Sequence, residues 1–288
     1  MKSLKSYIQE KLTIKKSKYN YFPETKEELK EIIENRIKEE GNEVDLNDID
    51  VSQITDMSGL FEGTNFNGNI SKWDVSNVTN MERMFYVCKS FNQDISNWDV
   101  SNVTDISEMF YMCFNFNNNI SKWDVSNVIN MSCMFFGSKF NNDISSWDVS
   151  SVEDMSGMFK FTEFNGDISS WDVSSVEDMS GMFMRNPDFK GDLSNWDVSS
   201  VADMEDMFNN SEFNGDIGSW DVSNVTNMKN MFYCSCFNRD ISKWDVSKVE
   251  KIKDIFECPI KKTYMPKFNM NNISEAFDFG SVKKSTGI

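Results

Sequence analysis

Apolar and polar positions follow a pattern that recurs along most of the chain. All eight tryptophans precede Asp-Val-Ser and lie 24 or 25 residues apart, from Trp73 to Trp244. One clear unit, FNQDISNWDVSNVTDISEMF, runs from Phe91 to Phe110, and a degenerate first copy has Ile49 in the tryptophan position. A fixed period of this size predicts a repeat architecture, in which each unit buries its apolar residues against its neighbours.

The spacing of apolar residues within one unit predicts two short elements. From Val78 through Met81 and Met84 to Phe85 the steps are three, three and one, which predicts a short α-helical or 3-10 turn. Asn80, directly before the first Met, suits the N-cap of that turn. The stretch Ile-Ser-x-Trp-Asp-Val is β-branched and aromatic, so it predicts a short strand.

One strand and one helical turn per 24 or 25 residues match the leucine-rich-repeat size class. We therefore expect a repeat solenoid, a right-handed α/β coil with about eight full repeats, over residues 49–258. Residues 1–48 are expected to form a helical N-terminal cap, whose helix runs from about Lys26 to Glu40 and stops at Gly41. Residues 259–288 are expected to form a C-terminal cap or tail.

Composition narrows the possible functions. The 288 residues include 46 acidic and 29 basic side chains and no histidine, giving a net charge of −17. Without histidine, a Ser-His-Asp triad and imidazole metal ligands are excluded. The acidic balance argues against nucleic-acid binding, and it is concentrated in residues 49–248, which hold 12 basic and 30 acidic residues. The 24 Phe and 19 Met are mostly repeat residues, which predicts that they form the core.

The repeated phrase Phe-Asn-x-Asp-Ile-Ser-x-Trp-Asp-Val-Ser-Asn-Val-Thr-Asn-Met-x-x-Met-Phe resembles the repeat of the BspA-like family of bacterial leucine-rich-repeat surface proteins and lipoproteins. The likeness covers about residues 49–258, and the lead-in from Lys26 to Ile33 resembles the cap that precedes such arrays. The resemblance implies a non-enzymatic surface or adhesion role through protein binding. We therefore expect a protein partner, no cofactor, no catalytic residues and a monomeric chain.

The location of the protein is left open by two opposing observations. Residues 1–20 contain no apolar run typical of a secretion signal, and no stretch reaches the roughly 18 apolar residues of a membrane helix. These features, and cysteines that form no disulfide framework, favour the cytoplasm and predict no membrane insertion. The family resemblance implies the cell surface or secretion instead.

An aspartate follows every tryptophan and is the strongest candidate for chemistry. A row of stacked carboxylates would suit Ca²⁺, for which Asp99, Asp148, Asp172 and Asp197 are the candidates. The favoured interpretation is that each Asp accepts hydrogen bonds from backbone N–H groups of a turn. The alternative function is a cation-stabilised structural or carbohydrate-binding scaffold. A carboxylate-based glycosidase is the least expected, because the same Asp recurs in every repeat.

A partner should contact the chain where the repeats differ. The chain varies after each Met-Phe pair, and aromatic or apolar residues occupy several of these variable positions; such residues are typical interaction anchors. Covering the core at a corner of each repeat is the alternative role for them. The candidates are Tyr86, Tyr111, Phe136, Phe161, Met184 and Tyr233.

Overall fold

The structure, a computed structural model, describes residues 18–257. Within this range it contains one α-helix, α1 (Lys26–Glu40), followed by repeats that stack on one another. Isolated parallel bridges connect consecutive repeats, from Asp56–Asn80 to Asn227–Lys251, and the described residues form no longer strand. The chain is therefore a repeat protein.

Helix α1 has the bounds and end signals that the sequence predicts. The Thr25 side chain accepts a hydrogen bond from the Glu28 N–H at 3.2 Å, which caps the N-terminus. At the other end Gly41 has φ 91° and its N–H donates to the Ile37 carbonyl. Leu29 and Ile33 are fully buried in the common core. The predicted helix and its stop at Gly41 are confirmed.

Polar contacts fix α1 on the first repeat. The Lys26 ammonium lies 3.2 Å from the Asp56 carboxylate and also donates to Ser58. The Arg36 guanidinium donates to Asp48 at 3.0 Å. Partly exposed ion pairs of this kind contribute at most about 1 kcal/mol each, so burial of the apolar face of α1 supplies most of the stabilisation.

Backbone hydrogen bonds between repeats come from the segment that starts at the first Met of each repeat, which we call the Met–Phe segment (residues 81–88 in one repeat). Every second N–H there donates to a carbonyl of the next repeat, at 2.8–3.0 Å. Of the intervening N–H groups, those of Met84, Tyr86 and Cys88 donate to the carbonyl three residues earlier and so close tight turns. The inter-repeat bonds are Met81 to Asp105, Arg83 to Ser107, Phe85 to Met109 and Val87 to Tyr111.

The predicted helical turn in this segment is wrong. Left-handed backbone recurs four residues apart, with φ 55° at Arg83 and 56° at Val87, and glycines fill the same positions in the first repeat. A right-handed helix cannot include such residues, whereas the third position of a type II turn requires them. The three-residue apolar spacing therefore reflects successive turns. The Asn80 side chain does accept a local hydrogen bond, from the Glu82 N–H at 2.8 Å, but it opens a turn.

The predicted strand around each tryptophan is also wrong. The Trp73 N–H donates to the Ile70 carbonyl, and the Val78 N–H donates to the Val75 carbonyl, so the backbone closes two turns there. The step of three from Ile70 to Trp73 is the span of the first turn. Side chains of Asp and Asn open these turns and compete with an extended backbone, which explains why a β-branched sequence forms no strand.

The core is built from ladders of identical side chains. The Phe61, Phe85 and Phe110 rings stack with centroids 5.3 and 5.6 Å apart and planes within 3° of parallel. Met81 and Met84 have no exposed surface, and the other Met of the two columns are equally buried. The prediction that these methionines form the core is confirmed.

Each tryptophan also carries a hydrogen bond to the preceding repeat. All eight indole N–H groups donate to the carbonyl of the Ile or Leu in the preceding repeat, at 2.9–3.2 Å. The first acceptor is Leu46, so residues before Ile49 already take the positions of a repeat. A buried indole needs such a partner, which explains why tryptophan recurs here rather than phenylalanine.

The left-handed positions provide a test of the turn geometry. Gly63 is exposed with φ 68°, and no atom lies within 4 Å of where a Cβ would stand. We expect Gly63→Ala to lower the free energy of unfolding by about 1 kcal/mol through backbone strain alone. Gly63→Asn should cost less, because asparagine tolerates this conformation and Asn210 adopts φ 54° at the equivalent position. Urea unfolding measures both. Equal costs for Ala and Asn would contradict the assigned geometry.

Candidate functional site

Four aromatic side chains form a continuous row on the outer side of the Met–Phe segments. Tyr86 and Tyr111 stack with centroids 4.7 Å apart, and Tyr111 stacks on Phe136 at 4.3 Å. Phe136 meets Phe161 at 5.2 Å with the planes tilted by 52°. We call Tyr86, Tyr111, Phe136 and Phe161 the aromatic strip.

The turn geometry places this strip at the surface. Phe85 points into the core with no exposed surface, and the next residue, Tyr86, is half-buried. Inter-repeat hydrogen bonds hold the same position of successive repeats in register, so one ring lies above the next. Phe161 comes one position later in its repeat, at a left-handed residue with φ 58°, and is 41% exposed. Its ring therefore tilts away from the stack.

Cationic side chains lie over the rings. The Arg83 guanidinium is 4.1 Å from the Tyr86 centroid and also pairs with Glu62 and Glu108. The Lys160 ammonium is 5.8 Å from the Phe136 centroid and 6.0 Å from that of Phe161. Arg185 lies 5.2 Å from the Phe161 centroid. These distances are typical of cation–π contacts, which contribute about 0.5–1 kcal/mol each at exposed sites.

The two other predicted contact residues lie beyond the strip. Met184 is half-buried, and its Cβ lies beside Gly181, one repeat after Lys160. Tyr233 is half-buried two repeats further along. The structure thus brings the four rings together. Met184 adjoins Phe161, whose N–H donates to the Met184 carbonyl at 2.9 Å, and Tyr233 lies apart from both.

The aspartates that follow tryptophan open turns, as the favoured interpretation predicts. Asp148 Oδ1 accepts the Ser150 hydroxyl at 2.6 Å and its N–H at 3.1 Å. These two hydrogen bonds lower the pKa of Asp148. Asp99 and Asp172 accept the same pair of bonds from Ser101 and Ser174, and Asp197 accepts the Ser199 N–H at 3.0 Å.

The four aspartates proposed as Ca²⁺ ligands are thus each engaged with their own turn. Within residues 18–257, no three acidic or cysteine side chains converge in a way that could hold a metal ion.

A second row of aspartates is half-buried and lies next to the first Met column; it includes Asp154, Asp178 and Asp203. Burial, and then the charges of Asp154 and Asp203, raise the pKa of Asp178, while its carboxylate accepts the Ser180 N–H at 2.7 Å. From Asp56 to Asn227 an Asp or Asn occupies this position and accepts the same turn hydrogen bond.

Comparison with known families identifies the chain. Residues 27–139, 113–218 and 160–273 each match the model of a family described as "Mycoplasma protein of unknown function, DUF285". Together these matches span most of the chain. The chain belongs to the DUF285 family. No curated protein and no solved structure matches it. The overlap of the three DUF285 matches follows from the internal repeat, because the same unit can be aligned in several registers.

Sequence reasoning found the rings of this DUF285 protein but missed the cations beside them. Arg83, Lys160 and Arg185 occupy different columns, so no single repeat position predicts them. Basic residues are scarce in residues 49–248, so the places where they interrupt the repeat were the signal that could have revealed these cations.

Among residues 18–257 no helix has the length and apolar character needed to cross a membrane.

The turn aspartates of this DUF285 protein provide a second test. We expect Asp148→Ala to destabilise the protein by about 0.5 kcal/mol at pH 7, because the Ser150 N–H loses its acceptor at an exposed site. Asp148→Asn should retain more stability, since an asparagine can open a turn of this kind: Asn69, in the turn that precedes Trp73, accepts the Ser71 N–H at 3.1 Å.

The pH dependence has a definite sign. Because the pKa of Asp148 is lowered on folding, the contribution of its charge is present above the unfolded value of about 3.9 and is lost as the pH falls through the folded value. The wild type and Asp148→Asn should therefore converge in acid. Urea unfolding at pH 7 and at about pH 2.5 measures this, and an unchanged gap at the two pH values would contradict the assigned role.

Proposed function

We propose that this DUF285 protein is a non-catalytic, protein-binding solenoid whose contact surface is the aromatic strip. The observation that carries the proposal is a row of four rings in contact, three of them stacked, that remain partly exposed on a stacked backbone. The resemblance of the repeat to BspA-like surface proteins supports an adhesion role at the cell surface. In this proposal each repeat supplies one position along an extended binding surface.

The rigidity of the strip favours binding. Tyr86, Tyr111 and Phe136 are held by stacking on one another and by the inter-repeat hydrogen bonds beneath them. Side chains that are already ordered lose little conformational entropy when a partner docks, so more of the burial energy appears as affinity. Large aromatic side chains are also the residues that most often dominate protein interfaces.

The carboxylates support a structural rather than a catalytic role. A glycosidase needs two acids in different environments, whereas here the same Asp forms the same turn in each repeat. The alternative is that the exposed rings bind carbohydrate, since flat aromatic faces also suit sugar rings. The carbohydrate-binding alternative predicts that the chain retains a glycan and no protein.

Affinity capture with a matched pair of variants tests the proposal. The strip variant carries Tyr86→Ser, Tyr111→Ser and Phe136→Ser. The control variant carries Lys72→Ser, Asn97→Ser and Lys122→Ser, three exposed positions directly before tryptophans. We expect a protein from host lysate or target-cell surfaces to be retained by the wild type and the control but not by the strip variant.

Purified partner and circular dichroism complete the test. Loss of three interface rings should weaken binding of the captured protein by more than about tenfold, while the urea midpoint shows that the strip variant remains folded. Retention of the same proteins by all three chains would contradict the proposal. Retention of glycan alone would favour the carbohydrate-binding alternative.

A further inference from the structure

Basic side chains of the repeats are concentrated beside the aromatic strip. Five segments carry the strip and its neighbouring turns: 83–90, 108–115, 133–139, 157–163 and 181–188. They hold five basic and three acidic residues, whereas residues 49–248 hold 12 basic and 30 acidic residues. The strip therefore has a local charge opposite in sign to that of the array around it. The five basic residues are Arg83, Lys89, Lys139, Lys160 and Arg185.

Of these five cations only Arg83 forms an ion pair within residues 18–257, and two of the other four lie at the end of the strip. Lys160 and Arg185 form no ion pair with any residue in the range 18–257, although the chain has a large excess of carboxylates. Both lie against the Phe161 ring, and the alkyl chain of Lys160 lies 3.6 Å from where a Gly181 side chain would begin. Their charges are thus held at the rings and remain available to an external anion.

The surrounding charge limits the kind of anion that fits. Rows of aspartates line the rest of the array, including Asp143, Asp167 and Asp192 with exposed carboxylates. A polymer with a charge on every unit would meet these rows and be repelled. A partner that combines a few carboxylates with apolar side chains would pair with Lys160 and Arg185 and bury the rings.

We propose that the aromatic strip recognises an acidic polypeptide segment, with its apolar side chains on Tyr86, Tyr111, Phe136 and Phe161 and its carboxylates at Lys160 and Arg185. This inference rests on the proposed function and names the chemistry of the partner. Charge complementarity at such a surface raises the association rate and selects against basic partners. Binding should weaken as salt screens the exposed charges.

Fluorescence anisotropy with peptide probes tests the proposal. The probes are a labelled peptide of alternating glutamate and leucine and its lysine–leucine counterpart. We expect the full chain to bind the acidic peptide and not the basic one. In the cation variant, Lys160→Ser with Arg185→Ser, the Kd for the acidic peptide should rise about tenfold. The control Lys72→Ser with Lys122→Ser should leave it unchanged, because those lysines belong to another column.

Three results would overturn the proposal. The first is equal binding of acidic and basic peptides, or an acidic-peptide affinity that the cation variant preserves. The second is failure to bind the acidic peptide while heparin binds with dependence on Lys160 and Arg185, which would assign the strip to an anionic glycan. The third is self-association of the full chain in sedimentation velocity that the cation variant loses and the control keeps, which would make a second copy of this chain the partner of the strip.

The outcome also separates this proposal from the one on which it rests. If the cation variant retains the captured protein and the strip variant does not, the result supports protein binding by the rings and excludes an acidic partner. A captured protein retained by both variants would contradict both proposals.

Discussion

Hydrogen bonds from one turn segment to the next repeat are the interaction on which the rest of the structure depends. Because every second N–H of a Met–Phe segment donates to the following repeat, each residue lies directly against its equivalent in that repeat. This register produces the buried ladders of Phe and Met and brings each indole N–H to a carbonyl. The same register stacks Tyr86, Tyr111 and Phe136 at the surface.

The core and the turn chemistry could be predicted from the sequence, but the type of local structure could not. Recurrence of Trp, Met and Phe identified the buried columns, and Asp-x-Ser identified turns such as that of Asp148. The three-residue spacing from Met81 to Met84 fits a 3-10 turn and a tight turn equally well. Arg and Val rarely adopt left-handed backbone, so the residue types at Arg83 and Val87 do not predict it. Only the glycines at the same repeat positions, such as Gly59, indicate this conformation.

The candidate site was predictable as a set of rings and not as a charged surface. Aromatic residues recur at one position and therefore stand out, whereas the basic residues lie at different positions and meet only after folding. The clustering of basic residues beside Phe161 shows that acidic and basic side chains have different roles in this chain. Aspartates repeated in each unit serve the turns, and isolated cations at the strip break that repetition. Departures from the repeat are thus where recognition by this DUF285 protein is expected.

Met–Phe segments donate hydrogen bonds to the next repeat instead of forming helical turns. NMR scalar couplings across hydrogen bonds test this arrangement directly, because they connect an amide nitrogen to the carbonyl that accepts its proton. The structure predicts a coupling from the Phe135 amide to the Met158 carbonyl, whose N···O distance is 3.1 Å. A coupling from Phe135 to the Met131 carbonyl, the partner four residues earlier in an α-helix, would contradict the account.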